Sequence, residues 1–346
     1  MKKLKAGIIG CGQMAHNHAS AYQEIPGVEL VAAHDRDAPR AERMCATFGI
    51  RQLGLRELLD AVDVVSICTW PASHCALTLE ALQAGKHVMC EKPPATNVAE
   101  AARMAEAADE RGLVLTYGLL YRHVFRDCVG IVRAVGQPLR ITGRWLRRRG
   151  FPQWSPAGFR ESAGGALTDL GVHVLDLSWY LMNCPDPVAV EATTWNHVPP
   201  EPDRDATDNA SLTVRMGNGS TATVAVAYAS HTLVGEETHL EVEGPLGRLR
   251  LPMPTHQTAM APDLLPRFHG SAAPLARARP RLVREAIRDQ LANFRDSALG
   301  LSTAVVTADE AVTLQRMVDL ALVSARSGES IAIGGPVEER LPIAGS

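Results

Sequence analysis

The strongest constraint on how this chain folds lies at its start. Residues Lys5–Ile9 form a short apolar run that ends in Gly10-Cys11-Gly12-Gln13-Met14-Ala15. That hexapeptide fits G-x-G-x-x-A, and helical spacing follows from about Gln13 to Ile25. A buried strand that turns through glycines into a helix is a phosphate-binding device. Gly10 permits the tight turn. Gly12 lets the backbone approach a pyrophosphate, which the leading N–H groups of the helix attract. Gln13, Met14 and Ala15 complete the expected cofactor loop. Asp35 closes a second apolar run, Val28–His34, where a carboxylate binds the ribose hydroxyls of NAD. Arg36 beside it leaves NADP possible, because a guanidinium offsets repulsion of a 2′-phosphate.

The pattern after this loop extends the constraint. Helical stretches are predicted at Pro39–Phe48, Leu55–Ala61, His74–Ala84 and Val98–Arg111. Strands are predicted at Val62–Cys68, His87–Cys90 and Leu113–Tyr117. Alternating strand and helix with short connections implies a doubly wound parallel sheet, an α/β Rossmann domain over residues 1–120. Beyond that point the pattern changes. A helix is predicted over Tyr121–Val135, then a strand, Leu139–Arg148, then a helix over Gly164–Leu181. Strands follow at Val188–Trp195, Ala210–Met216, Ser220–Ala229 and Glu237–Glu243, with a further candidate at Leu246–Leu251. Gly217-Asn218-Gly219 reads as a hairpin turn. Pro252–Pro280 reads as a long loop, and helices over Arg281–Ala298 and Ala308–Ser327 follow it. Residues 121–346 are therefore expected to form an α+β domain with a large, mostly antiparallel open sheet, serving substrate binding and oligomerisation.

Composition excludes several functions. The chain has 346 residues, long enough for two cores, with 46% apolar and 21% charged residues. A net charge of −3 gives no basic footprint for nucleic acid. The one dense cationic run, Arg147-Arg148-Arg149, reads as a solvated strand end or a salt-bridged surface. No apolar run approaches the ~20 residues needed to span a bilayer. Glycines break the apolar start before a signal peptide forms. The seven cysteines are scattered without a CxxC pair, which suggests reduced thiols in a cytoplasmic protein.

The segment GGALTDLGVHVLDLSWYL, residues 164–181, places Asp169, His173 and Asp176 inside an otherwise apolar helix. At about 100° per residue they share one stripe with Tyr180. Buried charge is costly when isolated, so the stripe must pair internally, bind a metal or line a pocket. Asp169 and His173 with an outside histidine would suit zinc, yet no H-E-x-x-H or cysteine pair supports it, and no metal is expected. Glu91-Lys92-Pro93 follows the strand His87–Cys90. In an open parallel sheet the carboxyl ends of the strands form the ligand crevice, which puts Glu91 and Lys92 beside the cofactor.

G-x-G-x-x-A, then GKHVMCEKP, then GGALTDLGVHVLD, in this order, resembles the glucose–fructose oxidoreductase/inositol dehydrogenase/rhizopine-catabolism family (Gfo/Idh/MocA) from Lys5 to about Ser327. The resemblance implies NAD(P)-dependent oxidation or reduction of sugars, cyclitols and related polyols, and a homodimer or homotetramer built through the sheet of the second domain. It carries over Lys92 as the lysine of the E-K-P turn, and Asp169 and His173 as the acid and histidine of the helix motif. Thr69, Pro71 and His74 sit where members shape the nicotinamide edge. Trp70 is bulkier than usual there, and Ala166 replaces the third small residue of the glycine run. Tyr121 and Arg122 resemble a substrate-side segment, with an interdomain salt bridge the alternative for Arg122. Trp145 and Trp154 are candidates to stack on a sugar ring, with core packing the alternative.

In that chemistry His173 is the base for a hydroxyl proton, since its unperturbed pKa lies near neutrality. Lys92 stabilises developing alkoxide character. Asp169 meets the same hydroxyl or orients the substrate, and Asp176 is the alternative partner of the ring. Two other functions stay open: a cofactor-binding regulator without turnover, and a redox-neutral enzyme that holds NAD tightly and oxidises transiently. Arg122 and Arg147 keep an acidic sugar open as substrate.

Overall fold

Six parallel strands make the first sheet: β1 (Leu4–Ile9), β2 (Val28–His34), β3 (Arg51–Gln52), β4 (Val64–Ile67), β5 (His87–Cys90) and β6 (Leu115–Tyr117). In this computed structural model their order is β3-β2-β1-β4-β5-β6. β1 pairs with both β2 and β4, so the chain reverses direction across the sheet at β1. That is the doubly wound order, whose switch point receives the ligand. Helices α1 (Gln13–Glu24), α2 (Ala38–Phe48), α3 (Leu55–Ala61), α4 (His74–Gln83) and α5 (Val98–Asp109) make the crossovers. All four residues of β4 are buried, as a strand covered on both faces requires. Asp37 caps α2 by accepting the Arg40 N–H, and Gly49 ends it in the left-handed conformation.

The chain divides into two units. One comprises Met1–Asp127, Pro254–Ala259 and Pro280–Gln315, and the other Cys128–Met253, Met260–Arg279 and Arg316–Ser346. The structure describes residues 3–148, 165–197, 207–230, 232, 235–255, 267–270 and 279–334. The second unit carries a sheet of eight strands, β7 (Arg140–Arg147), β8 (Pro187–Trp195), β9 (Asn209–Met216), β10 (Thr221–Ala227), β11 (Glu236–Gly244), β12 (Gly247–Pro252), β13 (Arg267–Gly270) and β14 (Ile331–Ala332). Their order is β13-β12-β11-β7-β10-β9-β8-β14. Only β7 and β10 pair in parallel; the other neighbours are antiparallel. The α/β plus α+β architecture expected from the sequence is the one observed.

Alternation along β7 explains the two faces of this sheet. Ile141, Gly143 and Trp145 are buried, while Arg140 and Arg144 are exposed. The helix Val172–Leu181 covers the buried face. At Gly143 a side chain would overlap Val174 and Leu240, so the helix and β7 approach as closely as glycine allows. The opposite face carries ladders of opposite charge, with Arg140 on Glu243 at 3.0 Å and Arg144 on Glu237 at 3.6 Å.

Three expectations need correction. The single helix expected over Tyr121–Val135 is broken into turns at Tyr121–Val124, Arg126–Cys128, Val129–Val132 and Arg133–Val135. Gly130 and the β-branched Val129, Ile131 and Val132 are weak helix formers. The helix expected from Gly164 begins instead as a π turn, Leu167–Gly171, that becomes α-helical at Val172. Its entry is held by Gly165, at φ +61°, packed on the backbone of Thr207, with Ala166 N–H donating to the Thr207 carbonyl at 2.9 Å. Within the expected loop Pro252–Pro280, Arg267–Gly270 is a strand on β12. No helix among the described residues is long and apolar enough to cross a membrane.

Candidate active site

The glycine loop is built for an anion. Gly10 has φ +89°, and a Cβ there would lie 2.7 Å from Thr69 Cγ2 and 2.8 Å from the Cys68 carbonyl. Only glycine lets β1 and the end of β4 approach this closely. A Cβ on Gly12 would meet nothing within 4 Å, so the backbone there faces open space. Gly12 is the N-cap of α1 and supplies no side-chain cap, and the first turn carries no acid. The leading N–H groups of α1 are thus arranged for a phosphate. Gln13 is exposed, Met14 half-buried and Ala15 buried in this turn.

Asp35 is held rigidly at the end of β2. One carboxylate oxygen accepts the Cys11 N–H at 2.7 Å and the other accepts the Asp37 N–H at 2.8 Å. Each oxygen retains acceptor capacity for a ribose hydroxyl. Arg36 is exposed beside it. These features fit a dinucleotide with an unphosphorylated adenine ribose.

The lysine turn differs in detail from the expectation. Lys92 is half-buried and joined to Pro93 by a cis peptide. Glu91 and His74, expected against the cofactor, are buried with their polar atoms engaged in the fold. Glu91 accepts from His18 Nε2 at 3.0 Å and from the Lys92 N–H at 3.2 Å. Burial alone would raise its carboxyl pKa. The His18 bond, the charges of His18 and Lys92 and the Lys92 N–H outweigh it and hold the group below the usual range. His74 Nδ1 lies 3.0 Å from the Pro93 carbonyl and Nε2 3.1 Å from the Thr69 carbonyl; burial lowers its basicity, and the neutral ring donates to one of the two. His18 is fully buried. Thr69 is half-buried, accepts from the Ser73 hydroxyl at 2.8 Å, and precedes the buried Pro71.

A second polar cluster lies in the second unit. From Gly165 to Trp179 every residue is buried except Asp169, which is half-buried. The Tyr228 hydroxyl, at the end of β10, donates to Asp169 Oδ2. His173, 5% exposed, lies beside Trp145 with ring centroids 6.0 Å apart. Trp145 Nε1 and Arg147 Nε both donate to Glu236 Oε1, at 2.7 and 3.1 Å. The Arg147 guanidinium also stands 5.3 Å from the Trp145 ring centroid, in cation–π range. Asp176 is deeper, 1% exposed.

Two expected substrate contacts are placed otherwise. Arg122 is fully buried, with Nη1 on Glu310 at 2.8 Å and on the Val305 carbonyl at 3.1 Å. Tyr121 is buried and donates to the Pro254 carbonyl at 2.9 Å. Both are occupied in the interior of the first unit. Trp154 lies outside the described residues. Tyr228, Glu236 and the pairing of Glu91 with His18 are additions that the sequence did not single out. Among the described residues no group of three His, Cys, Asp or Glu side chains could hold a metal ion.

Comparison with known proteins places this geometry. The profile of an oxidoreductase family with an NAD-binding Rossmann fold matches residues 4–119, and that of the GFO/IDH/MocA C-terminal domain matches residues 133–250. The chain belongs to the GFO/IDH/MocA family. It is 36% identical over 208 residues to D-glucoside 3-dehydrogenase of Escherichia coli, a match covering 56% of this chain and 58% of that one. It is 31% identical to D-apiose dehydrogenase of Paraburkholderia graminis over 72% of this chain and 68% of the other. Among solved structures, GenD2 from gentamicin A biosynthesis, in complex with NAD, superposes with a TM-score of 0.79 at 25% identity, covering 97% of each chain. The first unit of this family member is accordingly an NAD-binding Rossmann fold.

Proposed function

We propose that this protein is an NAD-dependent dehydrogenase that oxidises a secondary hydroxyl of a neutral sugar, glycoside or cyclitol, or reduces the matching ketone. Residues 1–120 serve the nucleotide, and residues 121–346 serve the substrate and assembly. The observation that carries this reading is the cluster around Asp169 and His173. A histidine and a carboxylate one turn apart sit in a buried helix, the carboxylate is the one partly exposed residue from Gly165 to Trp179, and an aromatic ring flanks the histidine.

NAD, when bound, accepts the hydride. His173 takes the hydroxyl proton as general base, a role worth roughly 10²–10⁴-fold. Lys92 donates a hydrogen bond to a substrate oxygen as negative charge develops. Asp169, held by Tyr228, accepts from a neighbouring hydroxyl. A neutral substrate is favoured because both candidate carboxylate clamps are neutralised, Arg122 by Glu310 and Arg147 by Glu236. The glucoside and apiose dehydrogenases named above act on sugars by their names. The seven cysteines, all free thiols, support a cytoplasmic location. The family resemblance supports a homodimer or homotetramer through the sheet of the second unit.

The test is a panel at fixed NAD, with inositols, glucosides and 1,5-anhydro sugars set against uronates and 2-hydroxy acids. Turnover of the neutral compounds is expected. Activity confined to the carboxylated ones would contradict the reading.

A further inference from the structure

Lys92 stands between two residues that are each gripped by a fully buried histidine. On one side is Glu91. Its carboxylate accepts from His18 Nε2 at 3.0 Å, and His18 Nδ1 lies 3.1 Å from the Ser66 hydroxyl, which lies 2.8 Å from the Tyr22 hydroxyl. These four side chains form one continuous chain of hydrogen bonds, from Tyr22 through Ser66 and His18 to the accepting carboxylate of Glu91. His18 and Tyr22 both lie on α1, the helix that opens with the phosphate loop. On the other side is Pro93, whose carbonyl faces His74 Nδ1 at 3.0 Å, while Nε2 of that ring faces the Thr69 carbonyl at 3.1 Å.

Stability alone does not account for this arrangement. A buried ion pair is generally no better for stability than apolar side chains of the same volume. Room has also been kept for the carboxylate. A Cβ on Gly118 would lie 2.6 Å from Glu91 Oε1, so glycine there leaves space for it. We infer that His18 and His74 are positioning residues for Lys92, His18 acting through the Glu91 carboxylate and His74 through the Pro93 carbonyl. The inference rests on the reading of Lys92 as the donor to the substrate oxygen.

The chain has five lysines, Lys2, Lys3, Lys5, Lys86 and Lys92. Reductive methylation of the full chain with ¹³C-formaldehyde therefore gives a simple spectrum, in which the Lys92 signal is assigned by its loss in Lys92→Arg. The variants come in pairs that keep one ring nitrogen's bond and drop the other. An asparagine amide replaces Nδ1, and a glutamine amide replaces Nε2. His18→Asn keeps the Ser66 side and loses Glu91, while His18→Gln keeps Glu91. His74→Gln keeps Thr69 and loses Pro93, while His74→Asn keeps Pro93.

The titration midpoint of Lys92 should move by about half a pH unit or more, or its line should broaden, in His18→Asn and His74→Gln only. Equal effects within a pair, no effect in either member, or a pair whose members both fail to fold would show a merely structural histidine and overturn the inference for it. On a sugar that turns over, the same two variants should lose about 10- to 100-fold in kcat with little change in KM for NAD. If the titration pattern holds and no sugar turns over, the positioning stands and the proposed function fails.

Discussion

The Tyr228 hydroxyl donates to Asp169 Oδ2 at 2.5 Å, joining residues 59 apart in sequence within the second unit. Burial, the Asp169 charge and this bond together push the Tyr228 phenol far above its ordinary range, so it remains a donor at any working pH. An O–H donor on a carboxylate makes a short, charge-assisted bond. Tyr228→Phe should therefore release Asp169 without changing the volume of the site. We expect kcat on the best neutral sugar to fall about tenfold, with a stability loss of about 1–3 kcal/mol in urea titration. Unchanged kcat would show that Asp169 needs no holding.

Asp35 accepts the Cys11 N–H of the glycine loop, and we propose that it also binds the ribose hydroxyls. Asp35→Ala should weaken NAD by about tenfold or more in calorimetry, equivalent to ~1.4 kcal/mol, and improve NADP relative to NAD. Tighter binding of NADP than NAD by the wild-type chain would mean that Arg36 overrides Asp35.

The contact between β7 and its covering helix is set by Gly143. Gly143→Ala drives a methyl group into Val174 and Leu240. We expect a loss of about 1–3 kcal/mol in chemical denaturation, the usual cost of overpacking. An unchanged midpoint would show that the helix can withdraw freely.

Burial holds the His123 imidazole down at about 4, with Arg126, Arg122 and Arg281 adding to the drop and Asp289 opposing it. The unfolded chain protonates this ring near pH 6.5, so between roughly pH 6.5 and 4 the unfolded state binds the extra proton. The stability this neutral ring supports is complete above about pH 6.5 and is lost as pH falls toward 4, by about 3 kcal/mol in all. In His123→Leu, the decline in unfolding free energy from pH 7 to pH 4.5 should be shallower than in wild type. Equal slopes would remove His123 from the acid response.

Much of this architecture was legible because its signals are local. Val28–His34 and His87–Cys90 are apolar runs bounded by turn residues, and both strands have those bounds. The glycine loop, the lysine turn and the Asp169–His173 helix could each be located by spacing alone. What escaped depends on partners distant in sequence. His18 sits just over one turn into α1, and nothing in the spacing shows that Glu91, 73 positions on, holds it. Arg122 reads as a substrate contact until Glu310, 188 positions on, takes its charge. Arg51–Gln52 and Ile331–Ala332 are two-residue strands, too short for any period to show. The π turn at Leu167–Gly171 departs from the uniform 100° step that a reading of spacing assumes, so spacing could not reveal it.

The central claim is that Lys92 and His173 serve hydride transfer between NAD and a neutral sugar hydroxyl. The most direct measurement is the near-ultraviolet absorbance of reduced nicotinamide on mixing the full chain with NAD and the neutral panel, for wild type, Lys92→Ala and His173→Ala. The account predicts sustained NADH formation by wild type, and a fall of at least about tenfold to a hundredfold in each variant with NAD binding retained. No NADH from any neutral compound, or wild-type rates in both variants, would contradict it.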